Sequence, residues 1–237
     1  MRFSSPAPFR PLFVFFALLL AVPLASQMVA AQSSPPIRKA PPSPPPPPAT
    51  DQDQFVAYWT AETGWRSELQ LRNNAVGQDV TVTPVLRLPD GTETPLAPVI
   101  VKPQEVKAID LDAAIAAAAA PQLVGAYGSV VLRFRSSSPA SLYAAMMIRK
   151  PGHPIAFHID ATVEDQTQDI GSREGIWWLR NSAANDYLIL TNQSQNPLQL
   201  NLSLFDASGK ASTQVLALAS HAMSRFSVRQ LVQASGL

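Results

Sequence analysis

Leu198, Leu200, Leu202 and Leu204 alternate with Gln199, Asn201 and Ser203 in the run LQLNLSL, a period of two that fits a strand with one buried face. The same period runs through DVTVTPVLRL, where Val80, Val82 and Leu86 share one face and Thr81 and Thr83 the other. The tripeptide PDG at residues 89–91 then turns the chain toward the apolar stretch LAPVIV. In EVKAIDL the apolar positions are Val106 and Ala108, with a switch to Ile109 and Leu111. YGSVVLRFR points Val130, Leu132 and Phe134 one way, and SLYAAMMIRK points Ala144, Met146 and Ile148 the same way. A hairpin between these two runs sets Arg135 opposite Tyr143 on the outer face. IAFHIDA follows, with Ile155, Phe157 and Ile159 directed inward. One segment, DAAIAAAAAPQ, reads as helix, capped by Asp110 or Asp112 and stopped by Pro121. The expectation is an all-β chain whose strands over residues 55–161 form an antiparallel sandwich.

Parts of this pattern occur twice. SELQLRNN at residues 67–74 returns as DYLILTNQ at residues 186–193, each about ten residues after a tryptophan. LQLNLSLFDASG, VLAL and SRFSVRQLV then follow in the order set by DVTVTPVLRLPDG, VIV and KAIDLDAAI. This common order predicts an internal repeat, with a second unit at residues 176–237. The second unit ends at VQASGL, where the last strands of the first unit would begin. Two readings follow: a partial unit that packs on the first or on another molecule, or a truncated gene. A partial sandwich exposes strand edges and a core face to a partner.

Ahead of the strands, Arg2 and Arg10 precede the apolar run LFVFFALLLAVPLA at residues 12–25, and Val29 and Ala31 occupy the small-residue positions of a cleavage site. Residues 1–31 therefore read as a secretory signal peptide, and the product as exported, periplasmic or extracellular. The apolar run is broken by Pro23 and is shorter than the roughly 20 residues a membrane-spanning helix requires. Membrane association is expected only if this segment stays uncleaved. Residues 32–54 contain SSPPIRKAPPSPPPPPAT, in which proline excludes helix and sheet, so a disordered polyproline II spacer is expected with a reach of roughly 50 Å. Residues 162–175 read as a polar linker between the units. The chain has no cysteine, which removes disulfides, thiol nucleophiles and cysteine-held zinc. With Lys plus Arg at 18 and Asp plus Glu at 17, no net field favours nucleic acid as a partner.

The succession of W, LxLxN, VxVxxxLxLPDG, IDL, YGSVVLRF and LYAAMMIRKPG over residues 55–161, and in part over 176–237, resembles the immunoglobulin-like β-sandwich repeats of exported bacterial proteins. The resemblance implies a structural or binding module without catalytic residues.

Few residues suggest chemistry. His153, His158 and His221 are the only histidines, and none has a second ligand at zinc-site spacing. His158 and Asp160 share a strand face, while no nucleophile elbow, P-loop or dinucleotide fingerprint occurs. The acidic groups at 51–53, 110–112 and 163–169 do not reproduce a calcium loop. No catalytic residue, metal or cofactor is expected. Asn192 and Asn201 begin glycosylation acceptor triplets. Trp59 and Trp177 take equivalent places suited to a core, whereas Trp65, Trp178 and Tyr187 are the candidate ligand-binding residues, as amphipathic rings suited to sugar or protein surfaces. The function expected is a non-enzymatic structural or interaction module of the envelope or extracellular space, its partner an envelope protein or cell-wall polysaccharide. The alternatives are a carbohydrate-binding module, a periplasmic assembly chaperone and a serine hydrolase.

Overall fold

The computed structural model describes residues 47–163 and 186–236, and its strands pair antiparallel throughout. The signal, most of the spacer, most of the expected linker, Trp177 and Trp178 lie outside the described residues, whereas residues 50–54 of the expected spacer and Thr162–Val163 of the expected linker are strand residues paired in antiparallel ladders. In the first half the strands are β1 (Thr50–Thr60), β2 (Arg66–Asn73), β3 (Val80–Arg87), β4 (Glu93–Pro95), β5 (Val99–Val101) and β6 (Val106–Asp110). Helix α1 (Leu111–Ala117) intervenes before β7 (Tyr127–Ser136), β8 (Leu142–Arg149), β9 (Ala156–Asp160) and β10 (Thr162–Val163). One sheet has the order β10-β1-β7-β3-β4, with β5 also on β3, and the other the order β6-β2-β8-β9.

Both sheets contribute to one apolar core. Leu69, Leu71, Met146 and Ile148 come from the second sheet, and Val56, Val82, Leu86 and Leu132 from the first; all are essentially inaccessible to solvent. Each buried side chain of this size stabilises the fold by about 1.5–3 kcal/mol through removal from water. Trp59 joins the core completely and its indole Nε1 donates to the Ser129 carbonyl at 2.9 Å, so burial leaves its polar atom satisfied.

The expected hairpin of β7 with β8 does not form. Both edges of β7 are taken, by β1 and β3, and β8 pairs with β2 and β9 in the opposite sheet. Arg135 consequently faces Asp51, and Tyr143 faces Arg72. The cause lies in SSSPA: the Ser138 side chain accepts from Ala140 N, and a 3-10 turn at Pro139–Ser141 redirects the chain. Buried Gln54 holds this crossover from β1, its amide donating to the carbonyls of Pro139 and Leu142, both at 2.8 Å. A second departure concerns β9. Ile155 and Phe157 remain 41% and 51% exposed, because this part of β9 is an edge beyond the main core, whereas Ile159 packs against it.

Asp110 supplies the cap of α1 by accepting from Ala113 N at 3.1 Å. The helix closes at Ala117, ahead of Pro121, which opens a separate 3-10 turn at Pro121–Leu123. Ile109 and Leu111 lie on the core side, and Val106 and Ala108 are exposed.

The later residues form β11 (Tyr187–Thr191), β12 (Leu198–Phe205), β13 (Ala211–Leu218), β14 (Met223–Ser227) and α2 (Val228–Ser235). Here β11 pairs with β14, as β2 pairs with β6, and β12 pairs with β13, as β3 pairs with β5. Ser227 caps α2 by accepting from Gln230 N, at the place Asp110 holds before α1. Burial is far less complete here: Leu200, Leu202 and Leu204 are only partly covered, and Phe205 and Val215 are 70% and 67% exposed.

A polar seam joins these strands to β1 and its following turn. Arg225 on β14 donates from both terminal nitrogens to the Glu62 carboxylate at 2.6 and 2.9 Å, and also to the Tyr58 hydroxyl at 3.1 Å. Its guanidinium lies 3.8 Å from the Tyr127 ring centroid, a cation–π contact that adds to the fork of hydrogen bonds. Thr191 donates to the Ala57 carbonyl, and Met223 N to that of Pro89 in the PDG turn. Gly91 in that turn has φ +89°, and a side chain there would meet the Ser220 carbonyl at 3.2 Å.

Candidate functional site

The turn from β1 to β2 and the turn from β8 to β9 meet at one end of the first half. Trp65 is positioned just before β2, and its ring stacks on Phe157 of β9 with centroids 6.0 Å apart and planes inclined by 29°. Lys150 Nζ lies 5.9 Å from the Trp65 centroid. A concavity beside this ledge is lined by Trp65, Arg66, Asp112 and Pro151, and an adjoining one by Arg66, Arg149, Lys150, Pro151 and His153. Arg66 and Pro151 belong to both, while the register sets Phe157 on the Ile148 face of the sheet and Arg149, opposite Ala156, on the other, so the two concavities lie on either side of the sheet end. Arg66 lies 3.5 Å from both Asp110 and Asp112.

Tyr187 is placed elsewhere. It is 53% exposed at the start of β11, with its ring centroid 5.0 Å from the Arg225 guanidinium, so it forms part of the seam. Trp65 and Tyr187 therefore serve different surfaces, and Trp178 lies outside the described residues. Arg225 holds the Glu62 carboxyl below its ordinary range, while burial pushes the Tyr58 hydroxyl up.

His158 and Asp160 share the outer face of β9 as their spacing implied, with Nε2 of His158 3.0 Å from Oδ1 of Asp160. Tyr143 completes the group, donating to the same carboxylate oxygen at 2.6 Å and standing 3.3 Å from His158 Nε2. The Tyr143 hydroxyl, then His158, lowers the Asp160 pKa, and Asp160 in turn raises that of Tyr143. These three side chains are exposed, and the hydrogen bonds of His158 go to Tyr143 and Asp160, with no serine among its partners in the described residues. The arrangement can hold a polar ligand group. His153 lies in the β8–β9 turn and His221 in the turn before β14, and among the described residues neither is hydrogen-bonded to this group. Among the described residues no three potential metal ligands gather.

Asn192 is only 3% exposed and its amide is occupied by backbone carbonyls, so the first glycosylation triplet is internal; Asn201 is exposed on β12. Sequence reasoning missed Phe157 because its period placed it in the core. It also passed over the cations in RKPGH at residues 149–153, a turn motif whose paired basic residues are visible without coordinates.

No protein-family model and no curated protein matches the chain. Among solved structures, the crystal structure of Thermotoga maritima 1070 is similar over 48% of this chain and 94% of that one, at 11% identity and a TM-score of 0.38.

Proposed function

We propose that the chain is an exported, non-enzymatic interaction module of the cell envelope or extracellular space, made of one immunoglobulin-like unit and part of a second copy. The observation that carries this reading is the only partly covered leucine face of β12, together with an edge of β12 and an edge of β11 that have no strand partner among the described residues. In the first half, β7 lies beside β3 and β8 beside β2 at the corresponding edges. The occupant that fits is an extended segment of an envelope protein with apolar residues at alternate positions. β12 and β13 contain no charged residue, so this edge lacks the lysines and prolines that ordinarily prevent strand addition.

Hydrogen exchange tests the proposal. The chain is incubated with a detergent-solubilised envelope extract, the retained protein is identified, and the exchange of residues 198–205 is compared with and without it. Slowed exchange in β12, lost together with retention in Leu202→Lys, supports strand addition. Retention without protection of β12, or no retention, overturns it. Carbohydrate recognition is a second reading, favoured by the Trp65–Phe157 stack, whose ring faces suit sugar rings.

A further inference from the structure

We infer that the end of the sheet formed by Trp65, Phe157 and the β8–β9 turn is a binding site for an anionic polysaccharide, with one sugar ring against the aromatic pair and the acidic group of a neighbouring sugar, around the end of the sheet, at Arg149 and Lys150. This rests on the carbohydrate reading and specifies the ligand class and the residues that select it.

The first observation is a charge conflict. Arg66 and Arg149 are directly opposite each other in the β2–β8 ladder, a position where like charges repel. Arg66 has Asp110 and Asp112 beside it, whereas Arg149 and Lys150 form no ion pair among the described residues. His153 adds a fourth nitrogen-bearing side chain, beside Arg66, Arg149 and Lys150, to the same concavity, and no carboxylate lines that concavity. Such a group of cations is relieved by a bound anion, and the arginine fork can accept a carboxylate or phosphate through two hydrogen bonds.

The second observation is that apolar rings lie just around the sheet end from this charge, with Lys150 Nζ 5.9 Å from the Trp65 centroid. Phe157 is 51% exposed and Ile155 41%, although both alternate with residues of the solvent face, and Trp65 lies against Phe157. A simple anion has no use for these surfaces. A sugar ring has an apolar face to lay on them, and a polymer can extend across Pro151, which lines both concavities. A nucleic acid would also stack, but the balance of 18 basic against 17 acidic residues provides no extended track for its phosphates.

The test measures binding of the full chain to polygalacturonate, to teichoic acid, to neutral dextran, to polyglutamate and to single-stranded DNA. Binding to polygalacturonate or teichoic acid is expected, and which of them binds distinguishes carboxylate from phosphate. Arg149→Glu and Trp65→Ala should each weaken it at least tenfold, with Arg72→Ala, on the same sheet face but away from the ledge, leaving it unchanged. Arg149 is exposed, so its variant keeps the fold, and thermal midpoints verify this for both variants. Equal binding of dextran overturns the anionic selectivity and leaves sugar recognition standing. Equal binding of polyglutamate or DNA overturns the polysaccharide class. Binding of none of the polymers overturns the site and the carbohydrate reading together.

Discussion

Asn73 at the end of β2 and Asn192 just after β11 share a pattern of three hydrogen bonds. Asn73 Nδ2 donates to the carbonyls of Gln78 and Val101, both at 2.9 Å, and its Oδ1 accepts from Ala75 N at 2.8 Å. Asn192 Nδ2 donates to the carbonyls of Asn196 at 2.7 Å and Ala219 at 2.9 Å, and its Oδ1 accepts from Ser194 N at 3.0 Å. Each side chain is almost wholly buried and ties the loop after its strand to the strand that returns from the opposite layer. Leucine or aspartate cannot reproduce this, because only the amide combines two donors with an acceptor.

Asn73→Leu and Asn73→Asp are therefore both expected to lower stability by about 1–3 kcal/mol, since each leaves buried backbone carbonyls without donors. Urea unfolding of the two variants measures the loss. Retention of full stability in Asn73→Asp would show that the donors are dispensable. The same pair of substitutions at Asn192 should loosen only the β11–β14 region, visible as faster hydrogen exchange there.

Glu62 and Arg225 make the seam pH-dependent. The Glu62 pKa is depressed in the folded protein, chiefly by its hydrogen bond to Arg225, below an ordinary value near 4.5. Its contribution is thus complete above that ordinary value and disappears as pH falls through the lower folded value. Proteolysis of the β14–α2 segment is expected to accelerate as pH falls from about 5 to about 3, from the ordinary carboxylate value downward toward the lowered one. Glu62→Gln should cleave rapidly at both values, with the pH response removed.

At Gly128 the limit is space. A side-chain carbon there would fall 1.7 Å from the Arg87 carbonyl oxygen, with the Trp59 indole nitrogen at 3.1 Å. The register of β1 on β7 shifts between Val56 and Trp59, which brings Trp59 opposite this glycine. Gly128→Ala should cost about 3 kcal/mol or more through overpacking of the β1–β7–β3 layer. Thermal unfolding checks this, and a midpoint equal to that of the parent would contradict the close approach.

Gln54 carries a fourth expectation. Its replacement by leucine preserves volume but removes both donors that hold the β7–β8 crossover, at a cost of about 2 kcal/mol. Amide exchange at residues 137–142 should rise more than exchange in β2, which has no contact with that side chain's donors.

The strands were legible because period two and turn chemistry are local. Val80, Val82 and Leu86 declare their face within seven residues, and the helix cap narrows to Asp110 or Asp112, of which Asp110 serves. Pairing was less legible, because SSSPA joins two apolar runs in a manner that suits a hairpin equally well; the decisive Gln54 contacts span 85 and 88 residues. Trp65 was recognised as a ring suited to binding, yet its partner Phe157 follows an inward-facing period and reaches solvent only because β9 is an edge strand. The seam residue Arg225 stood in an unremarkable SRFSV run, and its role emerges from Glu62, 163 positions earlier.

β1 has one further consequence, for tension. Its first residue, Thr50, pairs with Ser136 at one end of β7, while Ala57, in its later part, and Glu62, beyond its other end, hold Thr191 and Arg225. A pull entering through the chain ahead of Thr50 and leaving through β11 or β14 would run along the axis of β1. The ladder with β7 would then be loaded in shear, with its many rungs bearing force together instead of opening one after another.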